Sequence, residues 1–201
     1  IAVGRAFRAV KEAAVDFAIC GGTEFLYDQY GGIFRAFDVA KALATSQDGP
    51  LTVNRPFDEA RSGFLFSQGG SGMLIIEDLE HAQKRGAPII AEIKGYEESF
   101  DAYSIMMPEP EGTEIRNLIE NLLDSNGEKA ENIDYINTHG TSTQKNDAIE
   151  AQIIHEIFGG KPLVNSTKSL LGHTIGASGA IEAIVTALSL KHQTTHISRN
   201  L

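Results

Sequence analysis

Several things are scarce in this sequence, and each scarcity removes a class of protein. There is one cysteine, Cys20. A lone cysteine forms neither an internal disulfide nor a paired metal-ligand set, which points to a reducing compartment. No apolar run reaches the ~20 residues that cross a bilayer, and the opening IAVGRAFRAVKE lacks a cleavable leader pattern, so the expectation is a cytoplasmic protein away from membranes. Basic charge is short: 17 Lys and Arg stand against 27 Asp and Glu, a net charge of −10. No basic stripe concentrates what there is, which argues against nucleic acid as a partner. There is no low-complexity tract, no short repeat and no HExxH helix. The glycines of SQGGSG, from Ser67, are not followed by the Gly-Lys-Ser/Thr of a phosphate loop and read as a tight turn.

The chain is instead rich in alternating patterns. Its 201 residues, 42% of them hydrophobic, suffice for one large or two small domains, and 20 glycines point to many turns. Val3, Ala6, Phe7, Val10 and Ala14 fall at helical spacing, and VDFAIC from Val15 reads as a buried strand ending at Gly21-Gly22. Further strands are expected over Gly72 to Glu77, Ile89 to Glu97 and Ile133 to Asn137. Helices are expected over EDLEHAQKRG, TEIRNLIENLLDSNG, KNDAIEAQIIHEIF and GASGAIEAIVTALSL. Such alternation predicts a layered α/β architecture with mainly buried strands. The polar stretch from Pro108 to Gly112 is the expected connection between two units, 1–107 and 108–201.

Two loops carry chemistry. THGTSTQKNDAIE runs from Thr138 to Glu150, and NSTKSLLGHTIGASG from Asn165 to Gly179. Each sets a histidine among glycines and small hydroxyl residues, after an expected strand and before an expected helix, at the sheet edge where α/β proteins bind ligands. A lone histidine reads as a hydrogen-bonded structural residue. Two in matching loops suggest one shared site. A metal could be offered His139, His173, Asp147 and Glu150, but no close ligand pair supports it, and no metal is expected.

HGTSTQKNDAIE and STKSLLGHTIGASGAIEA, with NRPFDEARSGF and DFAICGGTE, resemble the β-ketoacyl-[acyl-carrier-protein] synthases, in particular the elongating enzymes with a His/His site. The resemblance runs along essentially the whole chain. It implies a thiolase-like layered α/β/α/β/α fold, present in part: residues 1–107 as the latter part of the N-terminal half, 108–201 as the first part of the C-terminal half. It also implies decarboxylative condensation of an acyl thioester with malonyl-ACP. His139 and His173 would donate hydrogen bonds to the thioester oxygen that gains charge as carbon dioxide leaves. Lys168 would be the site lysine, paired with Glu150. Thr141 and Thr143 would bind the pantetheine arm, and Phe37 would line the acyl tunnel. Lys41, helped by Arg35 and expected on a helix after Gly31-Gly32, would dock the acidic acyl carrier protein. No cofactor is implied beyond the 4'-phosphopantetheine that carries the substrate. The implied assembly is a homodimer or a heterodimer of synthase and chain-length factor.

The departures carry expectations of their own. The nucleophilic cysteine is expected a few positions before Ile1 and the C-terminal gating segment beyond Leu201, while Cys20 reads as a buried structural thiol. SQGGSG stands where the family has a Gly-Glu-Gly-Ala-Gly turn. Ser104 and Met106 stand where a histidine and a threonine are common near the pantetheine tunnel, which points toward polyketide or polyene synthesis. The alternative to a catalytic subunit is a chain-length-factor-like partner that does no chemistry.

Overall fold

The computed structural model describes every residue except Asp48 and Met106. The expectation placed on Met106 therefore lies outside the described residues. Helix α1 (Ala2–Lys11) turns Gly4 and Ala6 inward and closes with Arg8 and Lys11 in its last turn, where the helix dipole favours positive charge. It feeds strand β1 (Phe17–Phe25), which pairs antiparallel with β2 (Gly69–Glu77) in the register Ile19↔Ile75 and Gly22↔Gly72. Between them lies α2 (Gly32–Val39), whose entry is held by Asp28: its carboxylate accepts the Tyr30, Gly32 and Ile33 amides. Helix α3 (Leu79–Lys84) starts at Asp78, a capping residue that accepts the His81 amide. Helix α4 (Thr113–Ser125) precedes a short parallel unit in which β3 (Tyr135–Asn137) and β4 (Leu163–Asn165) are joined by α5 (Gln144–Phe158). That is a strand-helix-strand crossover. The one-turn helix α6 (Lys168–Leu171), a 3₁₀ turn (Ile175–Ala177) and α7 (Ser178–His192) follow.

Four expectations from sequence need correction. The glycines of SQGGSG do not make a turn: Gly69, Gly70 and Gly72 are β2 residues, and space is the reason. A Cβ on Gly70 would lie 3.0 Å from Thr174 and 3.2 Å from Ile181, and one on Gly72 would lie 3.1 Å from Ile184 and from the Ile181 amide. Likewise β1 does not stop at Gly21-Gly22 but passes through it. A Cβ on Gly22 would meet the Gly176 carbonyl at 2.6 Å, so this glycine lets the 3₁₀ turn sit against the sheet. Ile89 to Glu97 is not a strand. No ladder partner for it exists among the described residues. It packs by side chains instead: the Tyr96 ring covers Gly4, its hydroxyl donates to Glu98, and Arg5 pairs with Glu98 at 2.7 Å. Finally, the β1–β2 strands are half covered rather than buried. Helices α1 and α7 lie on one face, while Phe17, Ile19, Phe25, Met73 and Ile75 on the other remain exposed.

Candidate active site

The first histidine loop is shaped by two carboxylates. Asp147, on the first turn of α5 and 1% exposed, accepts the amides of Thr141 at 2.9 Å, Ser142 at 3.0 Å and, across the chain, Phe57 at 2.8 Å. Arg61 stands 3.8 Å away and donates to the Thr143 and Gln144 carbonyls, so the NRPFDEARSGF segment is stitched to this loop. Asp147 thus helps hold Ser142 at φ +68°, in the left-handed region that a serine seldom enters. Glu150, one turn further on, accepts the His139 amide at 2.6 Å and the Gly140 amide at 2.8 Å. Burial raises its pKa, and those two amide bonds pull against the rise.

Glu150 is therefore occupied with backbone, and the expected Lys168–Glu150 pair is replaced by another. Lys168, 2% exposed, places Nζ 2.5 Å from Oε1 of Glu182 on α7. The same ammonium donates to the His139 carbonyl at 2.7 Å and stands 3.3 Å from His139 Nδ1. Three donors meet three acceptors, which is how a buried charge is tolerated. Burial raises the Glu182 pKa, and Lys168 opposes that rise. Sequence reasoning missed Glu182. The available signal was that it is the sole acidic residue of α7, on a helix that starts five residues beyond the lysine-bearing segment's histidine. Asn54 was missed too: its side-chain amide donates to the Lys168 carbonyl, and Asn200 in turn donates to the Asn54 carbonyl at 2.9 Å.

The two histidines converge. Their ring centroids are 5.5 Å apart with an interplanar angle of 83°. An ammonium has no lone pair, so its contact makes His139 Nδ1 an acceptor and puts the ring proton on Nε2. For His173 the same conclusion comes from the backbone, because the Ile175 amide donates to His173 Nδ1 at 3.2 Å. Ile175 reaches that position at φ +45°, a strained conformation for a β-branched residue. Glu24 accepts the next amide, Gly176, at 3.2 Å, and His173 is bonded through its own backbone to Leu65 and Ser67. Both rings are held neutral. Burial first, then the Lys168 charge and the repulsion that a protonated His173 would add, bring the His139 pKa down to about 3. Burial and then Lys168 bring His173 to about 4. His139 retains solvent exposure, so the neighbouring Lys168 charge is the firmer cause there. The result is two Nε2–H donors beside a fixed positive charge, a combination suited to a developing oxyanion.

Around this pair the other expected residues fall at different distances. Phe64 stacks edge-on to His173 at 5.3 Å, and Phe37 contacts Phe64 at 5.3 Å and Phe66 at 5.6 Å, so Phe37 lies one ring removed from the histidine. The Thr141 and Thr143 hydroxyls are 2.9 Å apart and bond each other, Thr143 at the N-cap of α5. Lys41 is not on a helix: it lies just past the Ala40 C-cap of α2, at φ +53°. It and Arg35 are exposed. Cys20 lies mid-strand in β1, and burial raises its thiol pKa, the reverse of an activated nucleophile. Among the described residues no group of three His, Cys, Asp or Glu is arranged to hold a metal, and no helix is long and apolar enough to cross a membrane.

This layout, with a histidine on each of two loops, a buried lysine between them and a sheet packed against the helix of the second, is a ketosynthase arrangement on a partial thiolase-like α/β fold. The chain belongs to the β-ketoacyl synthase family: residues 1–82 match its N-terminal domain and residues 90–201 its C-terminal domain. It is 39% identical, over 99% of its length, to 3-oxoacyl-[acyl-carrier-protein] synthase 2 of Coxiella burnetii, and covers 48% of that protein. With the synthase 2 of Synechocystis it shares 42% identity over 94% of its length, covering 45% of that relative. The chain thus spans about half the length of these curated relatives. Among solved structures it is similar to a type II polyketide ketosynthase in complex with its acyl-carrier protein (TM-score 0.92, 29% identity, 98% of this chain and 48% of that one). It is also similar to a β-ketoacyl synthase from Burkholderia phymatum (TM-score 0.87, 32% identity, 99% and 49%) and to the ishigamide ketosynthase/chain length factor (TM-score 0.82, 34% identity, 100% and 49%).

Proposed function

We propose that this chain carries the decarboxylation centre of a β-ketoacyl-ACP synthase, which joins an acyl thioester to malonyl-ACP in fatty acid or polyketide synthesis. The observation that carries this reading is the convergence of His139 and His173, each with Nδ1 occupied and Nε2–H available, beside Lys168. Breaking the malonyl C–C bond releases carbon dioxide and leaves its electron pair on the thioester enolate. Two neutral donors aimed at that oxygen favour the enolate over the ground-state thioester. The carbanion then attacks the acyl group of an acyl-enzyme, and the thiolate leaves. The cysteine that holds the acyl group would come from residues before Ile1. Neutral histidines suit the task because a protonated ring would protonate the enolate that must attack carbon.

The substrate would arrive on 4'-phosphopantetheine, with Thr141 and Thr143 offering hydroxyls to the arm and Phe37 to the acyl chain. Acyl carrier protein as partner is supported by the carrier-bound ketosynthase among the structural relatives. Lys41 and Arg35 are the docking residues of this reading, since a protein at −10 needs a local positive patch to meet an acidic partner. A dimeric cytoplasmic enzyme completes the proposal. The likeness to a ketosynthase/chain length factor gives a second reading, a non-catalytic partner subunit. The intact His139, His173 and Lys168 cluster speaks against it, because shaping a cavity needs no donor pair. In the full-length protein, His173→Ala is expected to leave acyl transfer to the cysteine intact and to cut malonyl decarboxylation by about 10²-fold or more, as loss of an oxyanion donor does. Equal loss of both half-reactions would overturn the proposal.

A further inference from the structure

The side of His173 that faces α7 carries a contact beyond the Ile175 amide. Ser178 Oγ, at the first residue of α7, stands 3.0 Å from His173 Nδ1. It also accepts the Thr174 amide at 3.2 Å and lies 3.0 Å from Thr174 Oγ1. Thr174 and Ser178 are both buried, so their hydroxyl protons must be used inside the protein. Counting protons fixes the directions. Nδ1 carries none, because the Ile175 amide points at it. If Ser178 donated to Thr174, the Thr174 proton would have no acceptor among the described residues, and two lone pairs would face each other between Ser178 and Nδ1. If Thr174 donates to Ser178 and Ser178 to Nδ1, every proton has an acceptor, the Ser178 hydroxyl and the Ile175 amide sharing the one Nδ1 lone pair as a three-centre bond.

We propose that Ser178 is a positioning residue for His173, the middle of a Thr174 → Ser178 → His173 hydroxyl chain that locks the imidazole as its Nε2–H tautomer. The geometry explains why strain is tolerated at Ile175. The backbone amide and the Ser178 hydroxyl reach Nδ1 from two elements, the 3₁₀ turn and α7, so the ring can neither flip nor take its proton on the wrong nitrogen while both hold. A single donor would fix the tautomer but leave the ring free to rock. Ser178 is buried and bonded to His173, and it acts through that ring.

The inference rests on the proposed role of His173, and its test reads the ring directly as well as the reaction. In the full-length protein labelled with ¹⁵N-histidine, Ser178→Ala is expected to move the Nδ1 resonance of His173 toward that of an unbonded imidazole nitrogen. Malonyl decarboxylation should fall on the order of tenfold, the lower end of what losing an imidazole's outer partner does elsewhere. Acyl transfer should be unchanged. Ser178→Thr, which keeps the hydroxyl, should restore both the resonance and the rate. An unmoved Nδ1 resonance in Ser178→Ala overturns the hydroxyl chain, and a moved resonance with full decarboxylation overturns the positioning role. Neither result touches the larger reading, which fails if His173→Ala spares decarboxylation or cuts both half-reactions equally.

Discussion

The histidine loops and the β1–β2 sheet are built by opposite rules. Around the histidines polar groups are buried and hydrogen-bonded: Ser142, Asp147, Ser166 and Lys168 are each 2% exposed or less, and each has partners within the chain. On the outer face of the sheet large apolar groups stand in the open, with Phe17 at 55%, Ile19 at 70%, Phe25 at 75% and Ile75 at 67%. The histidine loops hold one another, since nearly all their buried polar groups are bonded within this chain, Asn137 Oδ1 and Arg55 Nε being the exceptions among the described residues. The sheet is not self-sufficient, because an apolar face of that kind is stable in water only under a cover. The open face of the sheet and the histidine loops can thus be disturbed separately, while Gly22 and Glu24, on β1, join the two.

The sharpest way to break that contrast is at Asp147. Asp147→Ala leaves the Thr141, Ser142 and Phe57 amides without their acceptor. At ~1–3 kcal/mol for each buried donor, the full-length protein should lose at least ~3 kcal/mol, read from its urea midpoint. Ile75→Thr, on the open face of the sheet, should lose far less in the same measurement unless that face is covered in the full-length protein; a loss as large as that of Asp147→Ala would locate the cover. Gly22→Ala comes next. Its Cβ would press on the Gly176 carbonyl, and overpacking of this sort costs about 1–3 kcal/mol. Because the displaced turn holds Ile175, decarboxylation should fall along with stability. Gly86→Ala, in open space at φ +70°, should lose stability through backbone strain alone and keep full activity.

A pH titration sharpens the contrast further. The histidine pKa values lie at about 3 and about 4 in the folded protein, below the ~6.5 of an unfolded chain. The unfolded state therefore binds protons first as pH falls. Stability should be flat in these two groups above pH ~6.5 and decline below it toward pH 4, with a slope approaching one proton per histidine. His173→Ala should remove about half of that slope, and an unchanged slope would show that His173 titrates alike in the folded and unfolded protein. The smallest effect is expected at the surface. Lys41→Glu should raise the apparent KM for acyl carrier protein severalfold at low salt, fading as salt rises, and leave a small thioester mimic untouched. Equal effects on both substrates would make Lys41 structural.

What could be read in the sequence follows the same division. His139, His173 and Lys168 were legible because each sits in a loop whose local composition announces it, and α1 and α4 because their apolar residues keep to one face. The Lys168–Glu182 pair was not, since it forms between α6 and α7, and Glu150 stood as a plausible carboxylate in the motif itself. Ile89 to Glu97 was expected to be a strand, but a strand exists only with a partner, which one segment cannot reveal. The glycines of β1 and β2 were misread as turns because a glycine needed for close approach looks, in one dimension, like a glycine needed for a bend. Ser178 gave no sign at all; its meaning is a distance to Nδ1.

The stitching of the NRPFDEARSGF segment to the histidine loops also fixes when the site can exist. Arg61 and Thr143 are 82 residues apart, Asn54 and Lys168 are 114 apart, Leu51 and Asn200 are 149 apart, and Glu24 and Gly176 are 152 apart. Contacts of such separation are slow to close, because loop entropy is spent before they form. At ~5–20 residues per second of synthesis, residues 54–61 wait on the order of ten seconds for their partners to leave the ribosome. Both strands of the β1–β2 pair, with their apolar face, are synthesised before then. The growing chain therefore displays its stickiest surface early and its catalytic geometry last, and a chain released before Asn200 would hold the histidines without the clasp that orders them.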